Sequence, residues 1–117
     1  MTSTLLPGDY LSPGESLVSD NGEYSLNFQH DGNLCIYYVK DGAHNAVWCT
    51  MTDGKGSAKA VLESTSNFVI YDEAGAEVWS SGSLGKAYNP ALIMQNDGNL
   101  VIYATPAVWA TGTNGKT

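Results

Sequence analysis

The sequence predicts an all-β protein made of three similar sheets arranged around a pseudo-threefold axis. Three observations predict it. A short pattern, Asn-x-(Val/Cys)-x-Tyr, occurs three times, one Trp follows each occurrence, and the apolar residues inside each copy alternate with a period of two.

The copies are Asn33-Leu34-Cys35-Ile36-Tyr37, Asn67-Phe68-Val69-Ile70-Tyr71 and Asn99-Leu100-Val101-Ile102-Tyr103, with tyrosines 34 and then 32 residues apart. The tryptophans sit in Ala46-Val47-Trp48, Glu77-Val78-Trp79 and Ala107-Val108-Trp109, so every Trp of the chain belongs to the repeat. Ankyrin and tetratricopeptide arrays have a period of similar size, but they need a helical 3.6-residue periodicity, and the periodicity here is two.

The elements follow in order. Leu11 to Ser19 reads as an outer strand pair leading into the first repeat. Tyr24 to Phe28 and Ala91 to Met94 are short strand candidates, and Asp31-Gly32 and Asp97-Gly98 sit where a tight turn joins each to the next strand. In those next strands Leu34 and Ile36, Phe68 and Ile70, and Leu100 and Ile102 share an inward face, and the residues between them face outward. The glycine-containing segments after each Trp, Thr52 to Gly56, Ser81 to Lys86 and Thr111 to Lys116, read as turns between units. Three small sheets cannot each bury an apolar face alone, so they close on one another, with Trp48, Trp79 and Trp109 filling the centre.

Composition narrows the function. A chain of 117 residues fits one domain spanning positions 1–117, and 43% hydrophobic with 15% charged residues describes a globular chain rather than a disordered one. A net charge of -7 with only five Lys plus Arg disfavours nucleic-acid partners and polybasic membrane attachment. No apolar run approaches the ~18 residues of a membrane span, so membrane insertion is not expected. The N-terminus lacks the basic and apolar stretches of a signal peptide, which leaves secreted and cytoplasmic locations both open. Cys35 and Cys49 admit one disulfide, a pair of buried thiols, or neither.

Extending the alignment toward the N-terminus gives Gln29-His30-Asp31-Gly32-Asn33-Leu34-Cys35-Ile36-Tyr37, Glu63-Ser64-Thr65-Ser66-Asn67-Phe68-Val69-Ile70-Tyr71 and Gln95-Asn96-Asp97-Gly98-Asn99-Leu100-Val101-Ile102-Tyr103. These residues resemble the motif Gln-x-Asp-x-Asn-x-Val-x-Tyr of the monocot bulb-type mannose-binding lectins, and with the three Trp positions the resemblance covers essentially the whole chain. It implies a β-prism II fold of three four-stranded antiparallel sheets, each able to hold one α-mannose of a glycan or glycoprotein in a shallow pocket. It further implies that Gln, Asp, Asn and Tyr hydrogen-bond the sugar hydroxyls, Asp and Asn meeting at the axial O2. Val packs on the ring carbons, and no metal or other cofactor takes part. It implies, finally, a homodimer formed by exchange of the C-terminal strand around Val108 to Thr117.

The residue types support the same chemistry on their own. A hexose hydroxyl both donates and accepts, so a site for it needs an acceptor-only carboxylate, amides with fixed ends and a phenol. Gln95, Asp97, Asn99 and Tyr103 supply that set, and Val101 offers a small apolar floor. Gln29, Asp31, Asn33 and Tyr37 repeat it with Cys35 as the floor, which still packs on a ring if the thiol is free. If the hairpin turn is centred on Gly42, however, Cys35 and Cys49 lie opposite one another and a cross-strand disulfide is geometrically allowed. The family's usual disulfide uses a Cys where Gly32 stands, so this pair departs from it. In the middle copy Glu63 and Thr65 replace Gln and Asp, and Glu63, Thr65, Asn67, Val69 and Tyr71 form a degenerate site, weak or silent.

Two other function classes compete. A catalytic reading draws on Cys35, Cys49, His30 and His44, or on Glu63, Asp72 and Glu73, but neither set carries a signature and a surface sheet lacks an enclosed pocket, so no enzyme is expected. A structural or protein-interaction module that has lost its sugar sites is the stronger rival. The complete third motif argues against it.

Overall fold

The computed structural model describes residues 2–83, 89–103 and 109–116. Among these, twelve strands form: β1 (Thr4–Leu5), β2 (Tyr10–Leu11), β3 (Ser16–Val18), β4 (Tyr24–Phe28), β5 (Leu34–Lys40), β6 (Ala43–Cys49), β7 (Ser57–Leu62), β8 (Phe68–Asp72), β9 (Glu77–Ser80), β10 (Ala91–Met94), β11 (Leu100–Tyr103) and β12 (Trp109–Ala110). They make three four-stranded antiparallel sheets in the orders β3-β4-β5-β6, β2-β7-β8-β9 and β1-β10-β11-β12. Each repeat supplies the last three strands of one sheet, as the threefold pattern implies. The sequence reading assigned no strand to β7, whose Ala58, Lys59 and Ala60 give little alternation in hydrophobicity.

The N-terminal segment differs from expectation. It is not one strand pair ahead of the first repeat but a strap that gives one strand to every sheet: β1 pairs with β10, β2 with β7 and β3 with β4. The physical reason lies in the apolar residues. Leu5, Leu11 and Leu17 recur every six residues and each is 4% exposed or less, so each strap strand covers the edge of one sheet and drops one Leu into the common core. Between them, Leu6-Pro7-Gly8-Asp9 and Ser12-Pro13-Gly14-Glu15 are turns with Pro at the second position and Gly at the third, where Gly8 and Gly14 take φ of 89° and 94°. The acid at each fourth position caps its own turn: Asp9 Oδ2 accepts from Leu6 N at 2.9 Å and Glu15 Oε1 from Ser12 N at 2.7 Å.

The core sits between the sheets. Leu34, Ile36, Phe68, Ile70, Leu100 and Ile102 are fully buried, as their inward alternation predicts. Each Trp lies directly across its hairpin from an Ile, giving Ile36–Trp48, Ile70–Trp79 and Ile102–Trp109 pairs. The three indoles meet edge to face around the axis, with centroids 5.9 Å apart (Trp48–Trp79), 6.2 Å (Trp48–Trp109) and 5.9 Å (Trp79–Trp109). Such contacts add about 0.5–1.5 kcal/mol per pair beyond burial itself.

The β5–β6 hairpin corrects the expected turn. Its two-residue connection is Asp41-Gly42, both at positive φ (53° and 80°), so the turn centres between them rather than on Gly42. On that register Cys35 would miss Cys49, but a bulge at Val47, between the Tyr37–Ala46 and Ile36–Trp48 pairs, adds one residue to β6 and restores the match. The second hairpin shows the same device at Val78. Cys35 and Cys49 are joined by a disulfide, with their Cα atoms 4.1 Å apart. Backbone bonding between Thr50 N and Leu34 O places the Cys pair at a close, non-hydrogen-bonded position of the ladder, where side chains approach most nearly.

Removing one indole from the triad takes away two edge-to-face contacts at an axis where the tryptophans are partly buried against the core. Trp79→Ala is expected to lower unfolding stability in a denaturant titration by about 1–3 kcal/mol, two aromatic contacts at about 0.5–1.5 kcal/mol each. Leu6→Ala, at a residue 55% exposed, should stay within about 0.5 kcal/mol.

Candidate functional site

Each motif begins on the same three-residue hairpin loop. Gln29 N donates to Asn33 O (2.9 Å) and Gly32 N to Gln29 O (3.0 Å); Glu63 with Asn67 and Ser66, and Gln95 with Asn99 and Gly98, repeat both bonds. The last loop residue must turn left-handed, with φ of 92° at Gly32, 74° at Ser66 and 89° at Gly98. Gly98 has a second reason to lack a side chain: a Cβ there would lie 2.6 Å from the Tyr24 ring. Tyr24 in turn donates to Lys116 O at 2.6 Å, so it ties the third loop to the C-terminal segment.

The loop fixes the carboxylate. Asp31 Oδ1 accepts from Asn33 N at 2.8 Å and Asp97 Oδ1 from Asn99 N at 2.9 Å, which holds one oxygen and leaves the other turned to solvent as an acceptor. Both Asp residues are exposed. Thr65 has no carboxylate to play this part.

The Asn side chain is oriented from behind. Asn99 Oδ1 accepts from Thr111 Oγ1 (3.0 Å), Gly112 N (2.8 Å) and Thr113 N (3.3 Å). Asn33 Oδ1 accepts from Leu34 N (3.1 Å), Thr50 Oγ1 (3.3 Å) and Thr52 N (3.2 Å), and Asn67 Oδ1 from Ser81 Oγ (3.1 Å) and Ser83 N (3.3 Å). Flipping any of these amides would set its NH2 against backbone N–H groups, so the oxygen stays inward and Nδ2 remains to donate outward. The second hydroxyl of each pair anchors the arrangement, with Thr52 Oγ1 donating to Gly32 O (2.7 Å), Ser83 Oγ to Ser66 O (2.6 Å) and Thr113 Oγ1 to Gly98 O (2.5 Å).

The sequence pattern of the post-Trp segments reads as plain turns and does not single out these hydroxyl pairs, Thr50 and Thr52, Ser81 and Ser83, and Thr111 and Thr113. The signal was present as a Thr/Ser-x-Thr/Ser pattern starting two residues after every Trp. The residue between them is left-handed in all three copies, Gly82 (φ 72°) and Gly112 (71°) in two and Met51 (60°, 70% exposed) in the first.

Gln and Tyr close the other side. Gln29 Nε2 donates to Tyr37 Oη and Gln95 Nε2 to Tyr103 Oη, so in both copies the phenol keeps its own proton to offer elsewhere. The middle copy reverses the polarity: Tyr71 Oη donates to Glu63 Oε2 at 2.5 Å. The hydrogen bond to Glu63, then burial, then the charges of Glu63 and Glu77 push Tyr71 up to about 12. The middle sheet thus has its phenol proton consumed, its amide donor gone and its Asp replaced.

The floor residues Val101, Cys35 and Val69 are only 3%, 1% and 1% exposed and lie outside the common core. They occupy the outward face, covered there by neighbouring side chains, so they present a smaller surface than the sequence reading assumed. Their cross-strand partners differ: Ile93 and Ala110 beside Val101, Asn27 and Cys49 beside Cys35, Val61 and Ser80 beside Val69. In the first copy the floor is the disulfide itself, which removes the free thiol and with it any thiolate nucleophile. Of the carboxylates weighed for catalysis, Glu63 is held by Tyr71 and Asp72 Oδ1 caps its turn through Ala74 N (3.0 Å) and Ala76 N (2.8 Å).

Glu63→Gln should return the Tyr71 phenol toward its ordinary value near 10, read by ultraviolet absorbance during alkaline titration. Thr111→Val removes one of the three donors that hold the Asn99 carbonyl, a loss of about 0.5–1.5 kcal/mol measurable by denaturation.

No protein-family model matches the sequence. The chain is 30% identical over 112 residues to the B-type lectin plumieribetin of Scorpaena plumieri, covering 94% of this chain and 95% of that protein. It is 34% identical over 94 residues to the mannose-specific lectin of Aloe arborescens, covering 79% of this chain and 82% of the relative. The structure of the mannose-specific agglutinin of snowdrop, Galanthus nivalis, complexed with methyl α-D-mannoside superposes with a TM-score of 0.78 at 34% identity, covering 96% of this chain and 97% of that one. By sequence and by fold, the chain belongs to the bulb-type, β-prism II mannose-binding lectin family.

Proposed function

We propose that the protein is a lectin that binds terminal α-mannose of glycans and glycoproteins at two surface sites without a metal, one at Gln95 to Tyr103 and one at Gln29 to Tyr37. The observation that carries this reading is the shared arrangement of these two copies. In each, an Asn carbonyl is pinned from behind, one Asp oxygen is tied to the loop, and Gln donates to Tyr.

What remains outward is a set matched to a neutral polyol. Asn Nδ2 donates, the second Asp oxygen accepts, and the Tyr hydroxyl donates while the Gln carbonyl accepts. Because the backs of these groups are already bonded, a sugar meets them preoriented and little side-chain entropy is lost on binding. The apolar floor, Val101 in one site and the Cys35–Cys49 disulfide in the other, supports the C–H face of the ring.

The middle sheet is read as structural. It keeps Asn67 and Tyr71 for the fold while Glu63 and Thr65 withdraw the sugar-facing groups. This is where the rival reading of a site-degenerate module has its support, and it is confined to that sheet. Open surface sites of this kind suit binding rather than catalysis.

Shallow sites bind single sugars weakly, so affinity for a glycoprotein rests on several acting together. Two sites in a single domain supply the minimum, and a homodimer would double it. Of the C-terminal segment expected to exchange, Val108 and Thr117 lie outside the described residues; β12 pairs here with β11 of its own chain.

Calorimetric titration with methyl α-D-mannoside tests the assignment. Asp97→Ala or Asn99→Ala should cost the third site about 1.5–3 kcal/mol, and Asp31→Ala should do the same to the first. Thr65→Ala should leave the total unchanged. An unmodified protein that binds no mannoside contradicts the reading.

A further inference from the structure

Two residues of the first copy, Cys49 and Met51, set its post-Trp segment apart from the other two. Cys49, joined to Cys35, stands where the matching register positions hold Ser80 and Ala110. Met51 stands where they are followed by Gly82 and Gly112, at the left-handed residue between the paired hydroxyls. An L side chain resists that conformation and keeps it only where its surroundings over-determine it. Met51 is 70% exposed, so its own packing supplies little of that hold.

The grip on Asn33 is also looser than the grip on its counterpart. Asn99 Oδ1 accepts from Thr111 Oγ1 at 3.0 Å and from Gly112 N at 2.8 Å. Asn33 Oδ1 accepts from Thr50 Oγ1 at 3.3 Å, and Met51 N makes no such bond to it among the described residues. Past the bulge at Val47, two ladder pairs, Ile36–Trp48 and Cys35–Cys49, fasten this end of β6 to β5. The second of them is covalent and reaches the chain one residue before Thr50.

Resting on the mannose reading above, we propose that the Cys35–Cys49 disulfide is a redox switch on the first sugar site, acting through Met51 and the Thr50 and Thr52 hydroxyls to orient Asn33. Reduction leaves the floor of that site apolar, because buried thiols behave as small hydrophobes. What it releases is the backbone that leads into Met51. The third site carries glycine at that position and no cysteine, so it stays competent in either state. Cys35 is 1% exposed and Cys49 half-buried, so a thiolate of a dithiol reductant attacks Cys49 Sγ. The S–S bond breaks and Cys35 leaves as a thiolate. The reductant's second thiol then displaces Cys49 and closes the reductant into a cyclic disulfide. Two electrons pass to the protein, and the two protons given up by the dithiol are balanced by one on each cysteine. The chain thereby goes from two sugar sites to one, and avidity for a multivalent glycoprotein falls with it.

In the test, full chains carrying Asp97→Ala report the first site alone and those carrying Asp31→Ala the third. Each is titrated with methyl α-D-mannoside before and after dithiothreitol, with free thiols counted by alkylation and mass spectrometry. Reduction is expected to weaken the first site about tenfold and leave the third unchanged, and Met51→Gly should restore the reduced first site. A first site unaffected by complete reduction overturns the switch, as does an equal loss at both sites. So does a disulfide that the dithiol fails to open in the folded chain, or a reduced first site that Met51→Gly does not restore. An oxidised Asp97→Ala chain that binds no mannoside overturns instead the mannose reading of the first site.

Discussion

Three short sheets share one axis, and the edge-to-face contact of Trp48, Trp79 and Trp109 is the constraint on which the rest depends. None of the sheets has enough inward surface to close a core by itself. Each therefore turns its inward Leu/Phe and Ile residues to the axis, and each Trp stands across from the Ile of its own hairpin. The bulges at Val47 and Val78 serve that placement by letting the Trp face inward while the rest of the hairpin keeps its register. Two and four residues after each Trp stand the paired hydroxyls that hold the motif Asn, with a left-handed residue between them. The Trp at the axis and the hydroxyls that orient the site Asn are thus only two and four positions apart in the chain.

That linkage explains why the middle copy keeps most of its motif. Asn67 and Ser81, Ser83 belong to a network that anchors the loop, whatever the sheet binds, and among the described residues no buried side-chain polar atom lacks a partner. Glu63 preserves a bond to the phenol but reverses its direction, so the contact survives and the outward donor does not. Fold and binding make separable demands on the same nine positions: the Asn serves both, and Gln, Asp and the phenol proton serve binding.

Much of this was legible in the sequence. The repeat, the inward alternation, the central tryptophans and the extents of β4 and β10 could be read directly, because period-two patterning and a fixed spacing carry local information. The strap could not be read as easily, since its pairing partners are far away in the chain. Leu5, Leu11 and Leu17 hold the signal in a six-residue recurrence that spans two Pro-Gly turns. The match of Cys35 to Cys49 was anticipated from a symmetric turn, whereas it arises from an offset turn plus a bulge. The hydroxyl pairs are hard to read from sequence because Thr, Ser and Gly after a strand look like an ordinary turn until the three copies are aligned with the Asn they support.

The central claim is that two of the three copies are competent and the middle one is not. The most direct measurement is the stoichiometry of methyl α-D-mannoside binding by the unmodified chain, from calorimetry at protein concentrations well above the dissociation constant. The account predicts two sugars per chain. A stoichiometry of three would mean that Glu63 and Thr65 do not silence the middle sheet, and zero would contradict the sugar-binding reading of the pinned Asn sites.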